Sequence, residues 1–119
     1  MSTEIREEYG TIFINGFALE RPTLLVDIES DTLLAYGSYT DVKARFDKYT
    51  GPNVPAELKN NIVMFTFDNL PNQDIIYILR RAINYTASGF VRHLAQKYCE
   101  PDFTDWLKAE MERVPITDN

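Results

Sequence analysis

A chain of 119 residues with 18 Asp and Glu against 12 Lys and Arg, net charge −6, is poorly suited to gripping a nucleic-acid backbone, which takes clustered cations that displace phosphate counterions. A hydrophobic fraction of 45% at this length is enough for one core without disulfide or metal, and it excludes disorder away from the ends. The single cysteine, Cys99, cannot form an internal disulfide, which fits a cytoplasmic setting in a cell or host cell, and no apolar run approaches the ~18 residues of a membrane span.

Met1 to Glu8 is polar and acidic, without the apolar stretch of a secretory signal, and reads as a flexible end. Thr11-Ile12-Phe13-Ile14, Asn15-Gly16 and Phe17-Ala18-Leu19 then spell a hairpin, because Asn-Gly tolerates the two positive φ angles of a type I′ turn. A single strand with a bulge at Gly16 is the rival reading. Leu24 to Ile28 and Leu33 to Tyr36 form two further strands across the turn Glu29-Ser30-Asp31-Thr32.

Ser38 or Thr40 caps a helix in which Val42, Phe46 and Tyr49 make one buried stripe, and Gly51-Pro52 ends it with a left-handed cap. One helical turn is expected at Ala56 to Lys59. Ile62 to Phe67 is a near-continuous apolar run, the pattern of a central strand or of a strand with an interface face.

Asn72 to Tyr98 reads as a long helix, with a break at Ser88-Gly89 as the competing reading, since Gly89 weakens a helix interior. Ile75, Leu79, Ala82, Ile83, Thr86, Phe90, His93 and Leu94 gather on its apolar side, where Ala82, Thr86 and Gly89 form a ridge of small residues. A last helix runs from Asp102 to before Pro115 on a stripe of Phe103, Trp106, Leu107 and Met111. The expected architecture is a single α+β domain over 1–119: a small antiparallel sheet of three to four strands in the order β-β-β-α-β-α-α, with helices packed on one face and flexible ends at 1–8 and 115–119.

The long helical segment is cationic inside an acidic chain, with Arg80, Arg81, Arg92 and Lys97 against Asp74. Its polar side carries Tyr77, Arg81, Asn84, Ser88 and Arg92, and Tyr with Arg is the residue mix of interface hot spots, so this stripe is the candidate partner-binding face. The competing reading pairs Arg81 and Arg92 with acids such as Asp74 or those of the last helix.

Asp27, Glu29 and Asp31 sit two apart, a spacing that in an extended strand would line three carboxylates on one edge and suit Mg²⁺ or Ca²⁺. The calcium-loop pattern fails, because Thr32 and Ser38 stand where the glycine and the bidentate glutamate belong, and a solvated turn explains the same acids. His93 and Cys99 lack the spacing of a zinc site, and His93 reads as a core histidine. No phosphate loop and no nucleophile elbow occurs, so no cofactor is expected.

These residues point to a non-enzymatic, acidic module that works by protein contact, of the inhibitor type used by phages and mobile elements against basic nucleic-acid-binding partners. A self-associating assembly subunit and a small divalent-cation enzyme are the alternatives. Direct nucleic-acid or membrane binding is not expected.

Overall fold

The computed structural model describes residues 3–85 and 89–116. The chain runs β1 (Ile5–Glu8), β2 (Thr11–Ile14), β3 (Phe17–Ala18), β4 (Pro22–Asp27), β5 (Thr32–Ser38), α1 (Tyr39–Tyr49), α2 (Ala56–Lys59), β6 (Ile62–Thr66), α3 (Asn72–Ile83), α4 (Phe90–Lys97) and α5 (Phe103–Arg113). It is an α+β fold with two antiparallel sheets, ordered β1-β2-β3 and β5-β4-β6.

The first sheet is a meander made by two tight turns. Asn15 and Gly16 adopt φ of 49° and 84°, the pair of positive angles that a type I′ hairpin requires, and Ile14 pairs with Phe17. Tyr9 and Gly10 do the same at 51° and 83°, which folds Ile5–Glu8 back onto β2. Residues 5–8 are therefore a strand and not part of a flexible end. Ile5 faces Ile14 across the pair, and both are buried with Ile12.

The second sheet is centred on β4, whose Thr23, Leu24, Leu25 and Val26 have no solvent exposure. The near-continuous apolar run was expected to mark β6 as a central strand or as one with an interface face; β6 lies at the sheet edge and β4 holds the middle. Coverage on both faces explains β6's composition all the same. Leu24, Val26, Phe65 and Phe67 share a core with α3, α4 and α5, while α1 packs against β4, β5 and β6 through Val42 on the face that Leu25 presents.

Helix α1 ends differently from expectation. Gly51 does not take a left-handed φ; Thr50 instead closes the last turn by donating its hydroxyl to the Phe46 carbonyl at 2.7 Å. Ser38 stands at the N-cap without a side-chain cap bond, its hydroxyl accepting from Glu20 N–H.

The long helix is two helices. Gly89 sits at φ 93°, a conformation that stops a right-handed helix and that only glycine adopts freely, and α4 starts one residue later. The break redirects α4, so His93, expected in the core, is exposed. Phe90, Val91 and Leu94 are the buried residues of α4. The small-residue ridge cannot act as one surface across this break, and its Thr86 lies outside the described residues. Tyr98 then packs edge-on against Phe65, Phe67 and Phe103, with its hydroxyl donating to the Thr66 carbonyl.

Candidate contact surface

The proposed stripe on α3 and α4 is brought inward by the helices that cover it. Tyr77 is 7% and Arg81 6% exposed, because α5 lies across this side of α3. Arg81 Nη1 donates to Glu110 Oε2 at 2.7 Å and to Tyr77 Oη at 3.2 Å, and its guanidinium carbon sits 4.2 Å from the centre of the Phe90 ring. Tyr77 Oη lies 3.0 Å from the Glu110 carbonyl and 2.8 Å from that of Val114, so it ties α3 to the last turn of α5.

Arg113 closes the cluster with Nη2 2.7 Å from both Glu110 oxygens. Burial pushes the Glu110 carboxyl up, but the hydrogen bonds and positive charges of Arg113 and Arg81 outweigh it and hold its pKa below the ordinary value. Pairing of Arg81 with an acid of the last helix, the competing reading from the sequence, is the arrangement found. Tyr77 and Arg81 are thus interior residues, not part of an exposed binding face.

Asn84 is also engaged within the chain. Its carboxamide accepts from Thr3 N–H at 2.7 Å and donates to the Thr3 carbonyl at 2.9 Å, the two bonds a neighbouring strand would make. Arg80 donates to the Ile5 carbonyl at 2.7 Å, and Asn72, at the other end of α3, donates to the Gly10 carbonyl at 2.9 Å. The polar side of α3 is therefore a clamp on β1. Ser88 lies outside the described residues.

Arg92 is exposed, yet its side chain holds the β4–β5 turn, with Nε 2.9 Å from the Ile28 carbonyl and Nη2 2.8 Å from that of Glu29. The same turn carries the acids considered for a metal. Asp27 Oδ1 accepts from Glu29 and Ser30 N–H inside the turn, whereas Asp31 reaches across to accept from the Gly89 and Arg92 amides. Asp31 thereby caps α4 from a distance, satisfying amides that have no partner in the helix's first turn. Among the described residues no three His, Cys, Asp or Glu side chains converge as a metal site, so Asp27, Glu29 and Asp31 are not brought together as ligands. Cys99 is an exposed free thiol.

A surface the sequence reading missed lies between the two sheets. A cleft of about 410 Å³ is bounded by Phe17, Ala18 and Leu19 on the β3 side and by Tyr36, Gly37 and Ser38 on the β5 side, with Asp41 of α1 at its wall. Phe17 is 76% and Tyr36 40% exposed, large for aromatic rings with apolar neighbours available. The signal available beforehand was Phe17 itself, an aromatic next to a hairpin tip, and the number of tyrosines, of which Tyr77 and Tyr98 satisfy their hydroxyls internally.

The fold and this surface define a small α+β protein in which Arg80, Asn84 and Arg92 bond to its own backbone. No protein family, curated protein or solved structure matches the chain. Among the described residues, no helix is long and apolar enough to cross a membrane.

Proposed function

We propose that the chain is an acidic protein-interaction module that engages a basic, nucleic-acid-binding partner, in the manner of a small inhibitor from a phage or mobile element. One observation carries this reading: the cations of the central segment are engaged by the protein's own carbonyls and carboxylates, while most of the acids face water. Arg81 is buried against Glu110, Arg80 and Arg92 bond backbone carbonyls, and Lys97 pairs with Asp102. Among the described acids, Asp74 and Glu110 alone are buried. The described exterior accordingly carries more carboxylates than cations, although Arg45, Lys48 and Lys108 are exposed among them, and an acidic excess attracts cationic surfaces over roughly a Debye length.

The test is capture of partners from a lysate of the source cell at low salt, followed by measurement of the purified pair. A stoichiometric complex with a basic protein, weakening steeply as salt rises from about 0.01 to about 0.1 M, is the expected result. Salt-insensitive binding would remove the charge-based reading.

A second reading, self-association as an assembly subunit, is favoured by the open outer edge of β6. Sedimentation separates the two, because a monomer at every concentration eliminates it.

A further inference from the structure

We propose that the cleft between β3 and β5 takes an extended, lysine- or arginine-bearing segment of a partner protein as an added strand. This rests on the contact reading above and names the surface through which it acts. Both β3 and β5 end their sheets, so each pairs on one side only.

The register settles which backbone groups face the cleft. Leu19 N–H donates to the Ile12 carbonyl, which turns Phe17 and Leu19 toward β2 and leaves the N–H and C=O of Ala18 directed outward. In the second sheet Phe67 N–H donates to the Pro22 carbonyl, so Pro22 and Leu24 address β6 and Thr23 addresses β5. Gly37, the partner of Thr23, therefore points inward, and Tyr36 directs its N–H and C=O into the cleft. Among the described residues, neither Ala18 nor Tyr36 makes a backbone bond on that side. Two free strand edges thus confront one gap.

The walls define what such a strand carries. Phe17, Leu19 and Tyr36 supply apolar surface for alternate side chains of the guest. Gly37 adds no side chain, and a Cβ built there would meet nothing within 4 Å, so the approach to β5 is bare.

Charge selects the remaining side chains. Asp41 lines the cleft and makes no ion pair with a described residue, and the Glu20 backbone closes one end by bonding Ser38 and Tyr39. Among the described residues no Lys or Arg lines the cleft, and the nearby Arg21 is drawn away by Asp68 and the Tyr39 ring. A strand of alternating basic and apolar side chains fits the backbone edges, the aromatic walls and Asp41 together.

The test uses the full chain and fluorescent peptides of alternating lysine and valine, followed by anisotropy at low salt. Binding is expected for the Lys/Val peptide and not for a Glu/Val counterpart. Methylation of the alternate peptide amides that meet the protein edges is expected to weaken binding by about tenfold or more, as is Ala18→Pro, which removes one edge N–H. Because Ala18→Pro can disturb the hairpin, Asp41→Lys on the exposed start of α1 is measured beside it, with circular dichroism confirming the fold of both, and a similar loss is expected.

Lys/Val binding untouched by either substitution, or no binding at all, overturns the cleft. A wild-type dimer lost in Ala18→Pro assigns the cleft to a second copy and overturns the partner segment. A captured basic partner that still binds both variants overturns the cleft while leaving the contact reading in place.

Discussion

Arg81 has the residue type of an interface anchor and the environment of a core residue. Its ion pair with Glu110 is buried, and each partner also holds a second group: Tyr77 for Arg81 and Arg113 for Glu110. Removing Glu110 leaves the buried Arg81 guanidinium without its counterion, which costs about 3–5 kcal/mol, whereas replacing both with apolar residues of similar volume is often near neutral. Glu110→Met is therefore expected to destabilise strongly, and Arg81→Met with Glu110→Met to recover much of the loss, as chemical denaturation would record. If the single and double variants unfold at the same denaturant concentration, the pair is not the source of the effect.

The acid side of the stability profile follows from the same carboxyl. Its folded pKa is depressed, so the contribution is present above the unfolded carboxylate range and disappears as pH falls through the folded value. Glu110→Gln is expected to flatten that part of the pH dependence, with thermal melts across the acidic range as the measurement. A residue pattern alone could not place Arg81, because the helical wheel distinguishes polar from apolar sides of α3 and says nothing of α5 packing across the polar one.

At the scale of elements, legibility tracked how local the determining physics is. Asn15-Gly16 fixed its own turn, since the φ angles belong to those two residues, and the α5 stripe of Phe103, Trp106, Leu107 and Met111 declared its period. The place of β6 was not readable, because edge or centre depends on pairing with β4, a non-local fact. Strand β1 escaped notice because Tyr9-Gly10 is a less obvious turn pair than Asn-Gly, and Glu7 and Glu8 look like tail. The cleft was invisible for the same reason as β6: it exists only where β3 and β5 approach.

Gly89 shows which of two local preferences won. Continuity of the helical period favoured one helix, but α3 closes at Ile83 and Gly89, at φ 93°, begins α4 afresh, with Asp31 supplying the acceptors that the new N-terminus needs. A Cβ at this position would lie 3.6 Å from the His93 ring, ordinary contact, so the backbone angle sets the cost. Gly89→Ala is expected to lose about 1–2 kcal/mol and Gly89→Asn less, since Asn visits the left-handed region more readily. Asp31→Ala is expected to cost about 1 kcal/mol by removing the cap, and to speed hydrogen exchange at the Gly89 and Arg92 amides. Unchanged exchange there would mean the cap contributes nothing to α4.

For the whole molecule the balance lies between ion pairs that favour the fold and like charges that oppose it. The exposed pairs Arg21–Asp68, Lys43–Asp47 and Lys97–Asp102 are solvated on both sides, and such pairs are nearly neutral in stability. The net charge of −6 acts the other way, because compaction brings unpaired carboxylates together. Raising salt from about 0.01 to about 0.15 M shortens the Debye length from about 30 to about 8 Å, which screens repulsion between distant acids and leaves the buried Arg81–Glu110 contact almost untouched. The melting temperature of the free protein is therefore expected to rise with salt over this range, while its affinity for a cationic partner falls. A melting temperature that drops on adding salt would show that the surface pairs outweigh the repulsion, and with it would go the picture of an exterior kept acidic for a partner's charge to relieve.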